Sequence, residues 1–142
     1  MKTLSLRTAL LPLVLALLLA SGPTVAVDGI AVIANQNVAK IDAATVEKIF
    51  TGRVIYVGGV AVTAVNAVPG SAVRSRFLQA FVNKDEDGYT GYWSVRRYSG
   101  LGVPPKEVAS SAEVIKFVLT TPGAIGYIDE SDLKPGMNVL IR

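Results

Sequence analysis

Gly70, Ser71, Arg74 and Arg76 are the residues whose types and spacing could do chemistry together. They lie in the run Asn66-Ala67-Val68-Pro69-Gly70-Ser71-Ala72-Val73-Arg74-Ser75-Arg76-Phe77. The chemistry would be anion binding. Pro69 blocks continuation of the strand read over 61–67, and Gly70 lets the backbone turn tightly. Ser71 suits the N-cap of a helix, where its hydroxyl would accept from an N–H two or three residues on. Such a helix start has unpaired N–H groups and the positive end of the helix dipole, a pairing that holds anions. Arg74 and Arg76 fall in the first turns, where a cation is disfavoured. A bound anion would offset that, and so would solvation of exposed side chains. Simple capping accounts for the same residues without a ligand.

Most other chemistry is absent. The sequence has no histidine and no cysteine. That removes the usual general base, the thiol nucleophile, disulfides, a lipidated cysteine and nearly all transition-metal sites. A serine nucleophile would need a lysine or carboxylate partner, and Pro69-Gly70-Ser71 is not a G-x-S-x-G elbow. The acids Asp85, Glu86 and Asp87, like Asp129 and Glu130, read as solvated turns, and they lack the spacing of a calcium loop. Gly100 and Gly102 match neither a P-loop nor a dinucleotide fingerprint. The expectation is a protein that is not an enzyme and uses no cofactor or metal.

The elements that must position Gly70 and Ser71 alternate between strand and helix. A doubly apolar strand is read over 29–35. Asp42 then caps a helix to about Phe50, with Ile41 and Val46 at staple spacing and Gly52 as its left-handed stop. Val54 to Val57, Gly58-Gly59 and Val60 to Ala67 read as a hairpin. The focal helix sets Val73, Phe77, Leu78 and Phe81 on one face and ends near Asn83. A short helix over 89–97 carries Tyr92 and Trp93 inward. Residues 99–105 read as irregular loop. Ser110 and Glu113 fit a capping box opening a helix through Val118. Strands follow over 124–128 and 137–141, the first with Gly126 inside it, a sign of close approach. The class is α/β, with a mixed sheet of about five strands covered by helices.

The 142 residues suffice for one domain. Lys2 and Arg7 precede an apolar run over 9–20. Thr24 and Ala26 are small residues at the −3 and −1 positions of a cut after Ala26. Residues 1–26 therefore read as a signal peptide and 27–142 as the mature domain. Two of the 14 basic residues lie in that leader, and the rest nearly balance the 11 acidic ones. With no basic stripe, nucleic acid is not an expected partner.

Several stretches together carry a resemblance. They are Ala44-Thr45-Val46-Glu47-Lys48-Ile49-Phe50-Thr51-Gly52, the Gly70-Ser71…Arg74…Phe77 helix start, Tyr92-Trp93 with Tyr98-Ser99-Gly100, and Thr121-Pro122-Gly123-Ala124-Ile125-Gly126-Tyr127-Ile128. In this order they resemble the phosphate-binding proteins of bacterial ABC transporters, as a short member with a single lobe. The resemblance implies a periplasmic-binding-protein-like lobe and an extracytoplasmic solute-binding role, in the periplasm or secreted. It implies phosphate or another small oxyanion as ligand at Gly70, Ser71 and Arg74. It also implies an inner-membrane permease or other envelope protein as partner, and a homodimer as one way to build a cleft. The family pattern has an arginine three residues before the glycine and Gly-Thr after the serine. Ala67, Ala72 and Val73 stand there in this chain. The alternative is a secreted lobe that acts as a protein-interaction module without a small-molecule ligand.

Overall fold

Ile30–Ala34, five apolar residues in a row, form strand β1, and all five are buried. Such a run is what a strand covered on both faces requires. The computed structural model describes residues 29–142, so the leader expected over 1–26 lies outside the described residues. The other elements are α1 (Ala43–Phe50), β2 (Tyr56–Val57), β3 (Val60–Ala61), β4 (Thr63–Ala67), α2 (Ala72–Phe77), α3 (Glu86–Tyr98), β5 (Lys106–Val108), α4 (Ser111–Thr120), β6 (Ala124–Asp129) and β7 (Asn138–Ile141). Five strands make one sheet in the order β5-β4-β6-β1-β7. β4 runs parallel to β5 and β6, while β1 is antiparallel to β6 and β7, so the sheet is mixed.

Alternation along β1 sorts the core into two layers. Ile30, Val32 and Ala34 pack with Phe50 of α1, Phe77 of α2 and Trp93 of α3. Ala31 and Ile33 pack with Val114, Ile115 and Val118 of α4. α4 lies so close to the sheet that Gly126 has no room for a side chain. A Cβ there would stand 2.7 Å from Val114 Cγ1 and 2.8 Å from Val65 Cγ1. The interior glycine thus serves helix packing.

Three expectations change, and one unread stretch proves to be a strand. The run over 60–67 is not one strand. Val60–Ala61 pairs back on β2, and the chain then enters the main sheet at Thr63, whose N–H donates to Gly123 O. β5 follows directly on the loop read over 99–105; it had no reading of its own, because it is three residues long and Lys106 and Glu107 are exposed. α3 begins three residues early, since Asp85 is its N-cap and accepts from Gly88 N at 2.7 Å. The acids at 85–87 are therefore a helix start. Finally, the helix after Ser71 is α only to Phe77 and continues as a π-helical turn over Leu78–Val82, closed by left-handed Asn83.

Candidate functional site

β4 delivers the chain to Ala67 and α2 starts at Ala72, so Val68 to Ser71 make the connecting turn. Gly70 takes φ +84, the left-handed conformation the turn requires. Ser71 occupies the N-cap position, with φ −71 and ψ 141. Its hydroxyl does not accept from the helix, as the sequence had suggested. It donates instead to Val68 O at 2.9 Å. The backbone N–H groups of Ala72, Val73 and Arg74 are consequently left without an acceptor among the described residues.

Arg74 leaves this turn inward. Its side chain is 3% exposed. Nε and Nη2 donate to the two carboxylate oxygens of Glu86 at 2.8 and 2.6 Å, a bidentate fork. Nη1 donates to Glu107 Oε1 at 3.0 Å and to Ala67 O at 2.9 Å. The guanidinium also lies 5.5 Å from the centre of the Tyr89 ring. Burial works against its charge, but Glu86 and Glu107 outweigh burial and hold the Arg74 pKa above the ordinary arginine value. The cation at the helix start is thus balanced by protein carboxylates, neither by solvent nor by a need for a ligand. With two carboxylates against one guanidinium, the cluster carries a net negative charge beside the turn.

Beneath the turn lies a buried polar chain. Asn66, 1% exposed, donates from Nδ2 to the Tyr89 hydroxyl at 3.1 Å and accepts from the Tyr127 hydroxyl at 2.9 Å. Ala67 N donates to that Tyr127 hydroxyl at 3.1 Å, and Tyr89 donates onward to Phe50 O at 2.8 Å. Burial pushes both phenols above the ordinary tyrosine range, Tyr127 further than Tyr89. The Tyr127 ring stacks on Phe77 with centroids 3.8 Å apart, which ties β6 to α2. The turn is therefore held from below by Arg74, Asn66 and Tyr127.

Arg76 points elsewhere. It donates to Asp129 Oδ2 at 2.6 Å, and that hydrogen bond holds the Asp129 carboxyl down at about 2. The structure thus brings Gly70, Ser71 and Arg74 to one turn and pairs Arg76 with Asp129 at the C-terminal end of β6. Sequence reasoning read Glu86 as part of a solvated turn and gave no site role to Glu107, Asn66, Tyr89 or Tyr127. Asn66 was the available signal, a polar residue inside an apolar strand.

A groove of about 530 Å³ opens beside Arg74, walled by α3 and the approach to β5. Tyr89, Trp93, Arg97, Tyr98 and Glu107 line it.

Neither protein-family models nor curated proteins give a match to this sequence. Solved structures do. The chain is similar to a putative phosphate ABC transporter substrate-binding protein with bound phosphate from Clostridium perfringens, at TM-score 0.61 and 22% identity over 80% of this chain and 44% of that one. It is similar to an ABC-type phosphate transport receptor from Vibrio cholerae, at TM-score 0.55 and 16% identity over 80% of this chain and 45% of the other. It is also similar to PstS from Borrelia burgdorferi, at TM-score 0.58 and 18% identity over 80% and 46%. The chain spans less than half the length of each. At these identities the likeness is one of fold, and the fold is a single periplasmic-binding-protein-like lobe.

Proposed function

We propose that this chain is an extracytoplasmic solute-binding lobe that takes phosphate or another small oxyanion at the turn between β4 and α2. Gly70 and Ser71 shape the turn, the N–H groups of Ala72 and Val73 make the contact, and Arg74 braces the turn from below through Ala67 O. The observation that carries the reading is the open helix start. Ser71 turns its hydroxyl onto Val68 O, and the consecutive amides of Ala72 and Val73 have no acceptor among the described residues. The C. perfringens neighbour, with bound phosphate, supports an oxyanion as the ligand class. The negative balance of the Arg74 cluster weighs against a tight site, so the binding proposed is weak. A leader ending at Ala26 would carry the protein out of the cytoplasm, and an inner-membrane permease would be its partner if it serves a transporter.

The test is calorimetric titration with phosphate and then sulfate at low salt, on the parent and on Ala72→Pro. Proline is tolerated at the first helical position, and Ser71 already has the extended backbone that proline demands of its predecessor. The substitution deletes one of these N–H groups and leaves Arg74 alone. Loss of one hydrogen bond to a charged ligand should weaken phosphate binding by about tenfold or more. The melting temperature of the ligand-free protein should stay within about 2 °C of the parent. No saturable signal from the parent at millimolar phosphate would remove the reading, as would equal binding by both proteins.

A further inference from the structure

We propose that the groove between α3 and the approach to β5 binds a short peptide, with the peptide's ammonium end on Glu107 and its carboxylate end on Arg97. The groove has about 530 Å³ of room, within the range that holds a small ligand. Two opposite charges line it and do not meet. Arg97, in the last turn of α3, is exposed and makes no salt bridge among the described residues. Glu107 gives one oxygen, Oε1, to Arg74 Nη1. Its Oε2 has no hydrogen bond among the described residues, and the side chain is 41% exposed. Arg74 is already matched by the Glu86 carboxylate, so the Glu107 end of the groove carries negative charge in excess.

The spacing of those charges selects the ligand. Arg74 holds Glu86 and Glu107 together, which sets Glu107 across the groove from the first turns of α3. Thr90 and Arg97 both line the groove and stand two helical turns apart, a rise of about 10 Å. A single amino acid holds its two charges too close together to reach both ends, whereas a tripeptide in extended form spans about 10 Å. The lining between the ends suits a peptide chain. Trp93, nearly buried, makes an apolar floor, and Tyr98, 96% exposed, makes an aromatic rim. The hydroxyls of Thr90 and Ser94 donate to Glu86 Oε1 and Thr90 O, which leaves their lone pairs to accept from peptide N–H groups. A small oxyanion has no group for the Glu107 end, so the inference stands apart from the oxyanion reading.

The test is calorimetric titration in phosphate-free buffer at low salt with trialanine, its N-acetylated form, its C-terminal amide and free alanine. Trialanine should bind saturably at millimolar concentration or below. Blocking either end should weaken binding by about tenfold, and free alanine should give no saturable signal. Arg97→Gln should bind trialanine about tenfold more weakly than the parent does, and no better than it binds the amide. Glu107→Gln keeps an acceptor for Arg74 Nη1 and should lose the preference for trialanine over its N-acetylated form. Because Arg97 is exposed, its variant should melt with the parent, so a loss of binding there reports the contact and not the fold. No saturable trialanine signal from the parent, equal binding by the parent and Arg97→Gln, or a preference for trialanine over the amide that survives Arg97→Gln would overturn the proposal.

Discussion

Replacing Arg74 by alanine tests the central claim about the site, that its guanidinium holds the fold and is not held ready for a ligand. The side chain is 3% exposed and makes four hydrogen bonds, three of them to carboxylate oxygens. Breaking a buried ion pair by removing one partner costs about 3–5 kcal/mol when the orphaned charge stays buried. Here Glu86 and Glu107 retain 33% and 41% of their exposure, so both recover water once the arginine is gone. The orphan term shrinks accordingly. What remains is the unpaired Ala67 carbonyl, worth about 1 kcal/mol, and the lost packing of the buried arginine stem. Together these give a loss of about 2–3 kcal/mol. For a domain of this size that is a fall in melting temperature of about 8–12 °C. The assay is thermal unfolding followed by circular dichroism near neutral pH, without phosphate. Arg74→Lys should lose about half as much, because lysine keeps the charge but not the fork that grips Glu86. A melt within about 2 °C of the parent would refute the reasoning. It would put Arg74 back in solvent, one of the two fates that the sequence left open.

Tyr127→Phe should cost about 2–3 kcal/mol, because it strands two buried groups, Asn66 Oδ1 and the Ala67 N–H, while leaving the ring stacked on Phe77. Burial raises the phenol in the folded state, so its contribution is complete below the unfolded tyrosine value of about 10 and falls as pH climbs above it. A parent whose melting temperature is lost no faster than that of Tyr127→Phe above pH 10 would count against this. Asp129 behaves in the opposite sense. Arg76 depresses its carboxyl from 3.8 to about 2, so its contribution is present above the unfolded value and disappears as pH falls through the folded one. Melting curves of the parent and Asp129→Asn should therefore differ near neutral pH and converge between about pH 4 and 2. A gap that persists at the acid end would show that the Arg76 pair is not its source.

How much of this was legible in the sequence depended on whether a signal was local. Asp42, Ser110 and Gly52 act within one helical turn, and each stands where the sequence put it: Asp42 and Ser110 accept from the N–H three residues on, and Gly52 takes φ +71. β1 and β6 were legible because a strand buried on both faces is written as an unbroken apolar run. The failures were those of distance. β5 is a strand only because β4 offers it a partner, and three mostly exposed residues carry no pattern of their own. Arg74 lies 12 residues from Glu86 and 33 from Glu107, and nothing near it in sequence says that both will arrive. The same fact changes what the focal turn is. A turn with free arginines would draw oxyanions by charge. One whose arginine is spent on two carboxylates has only backbone dipoles to offer, so under the proposed oxyanion reading its selectivity would come from the geometry that Gly70 and Ser71 impose. Substitutions that alter that geometry should then change ligand binding more than any substitution that alters surface charge.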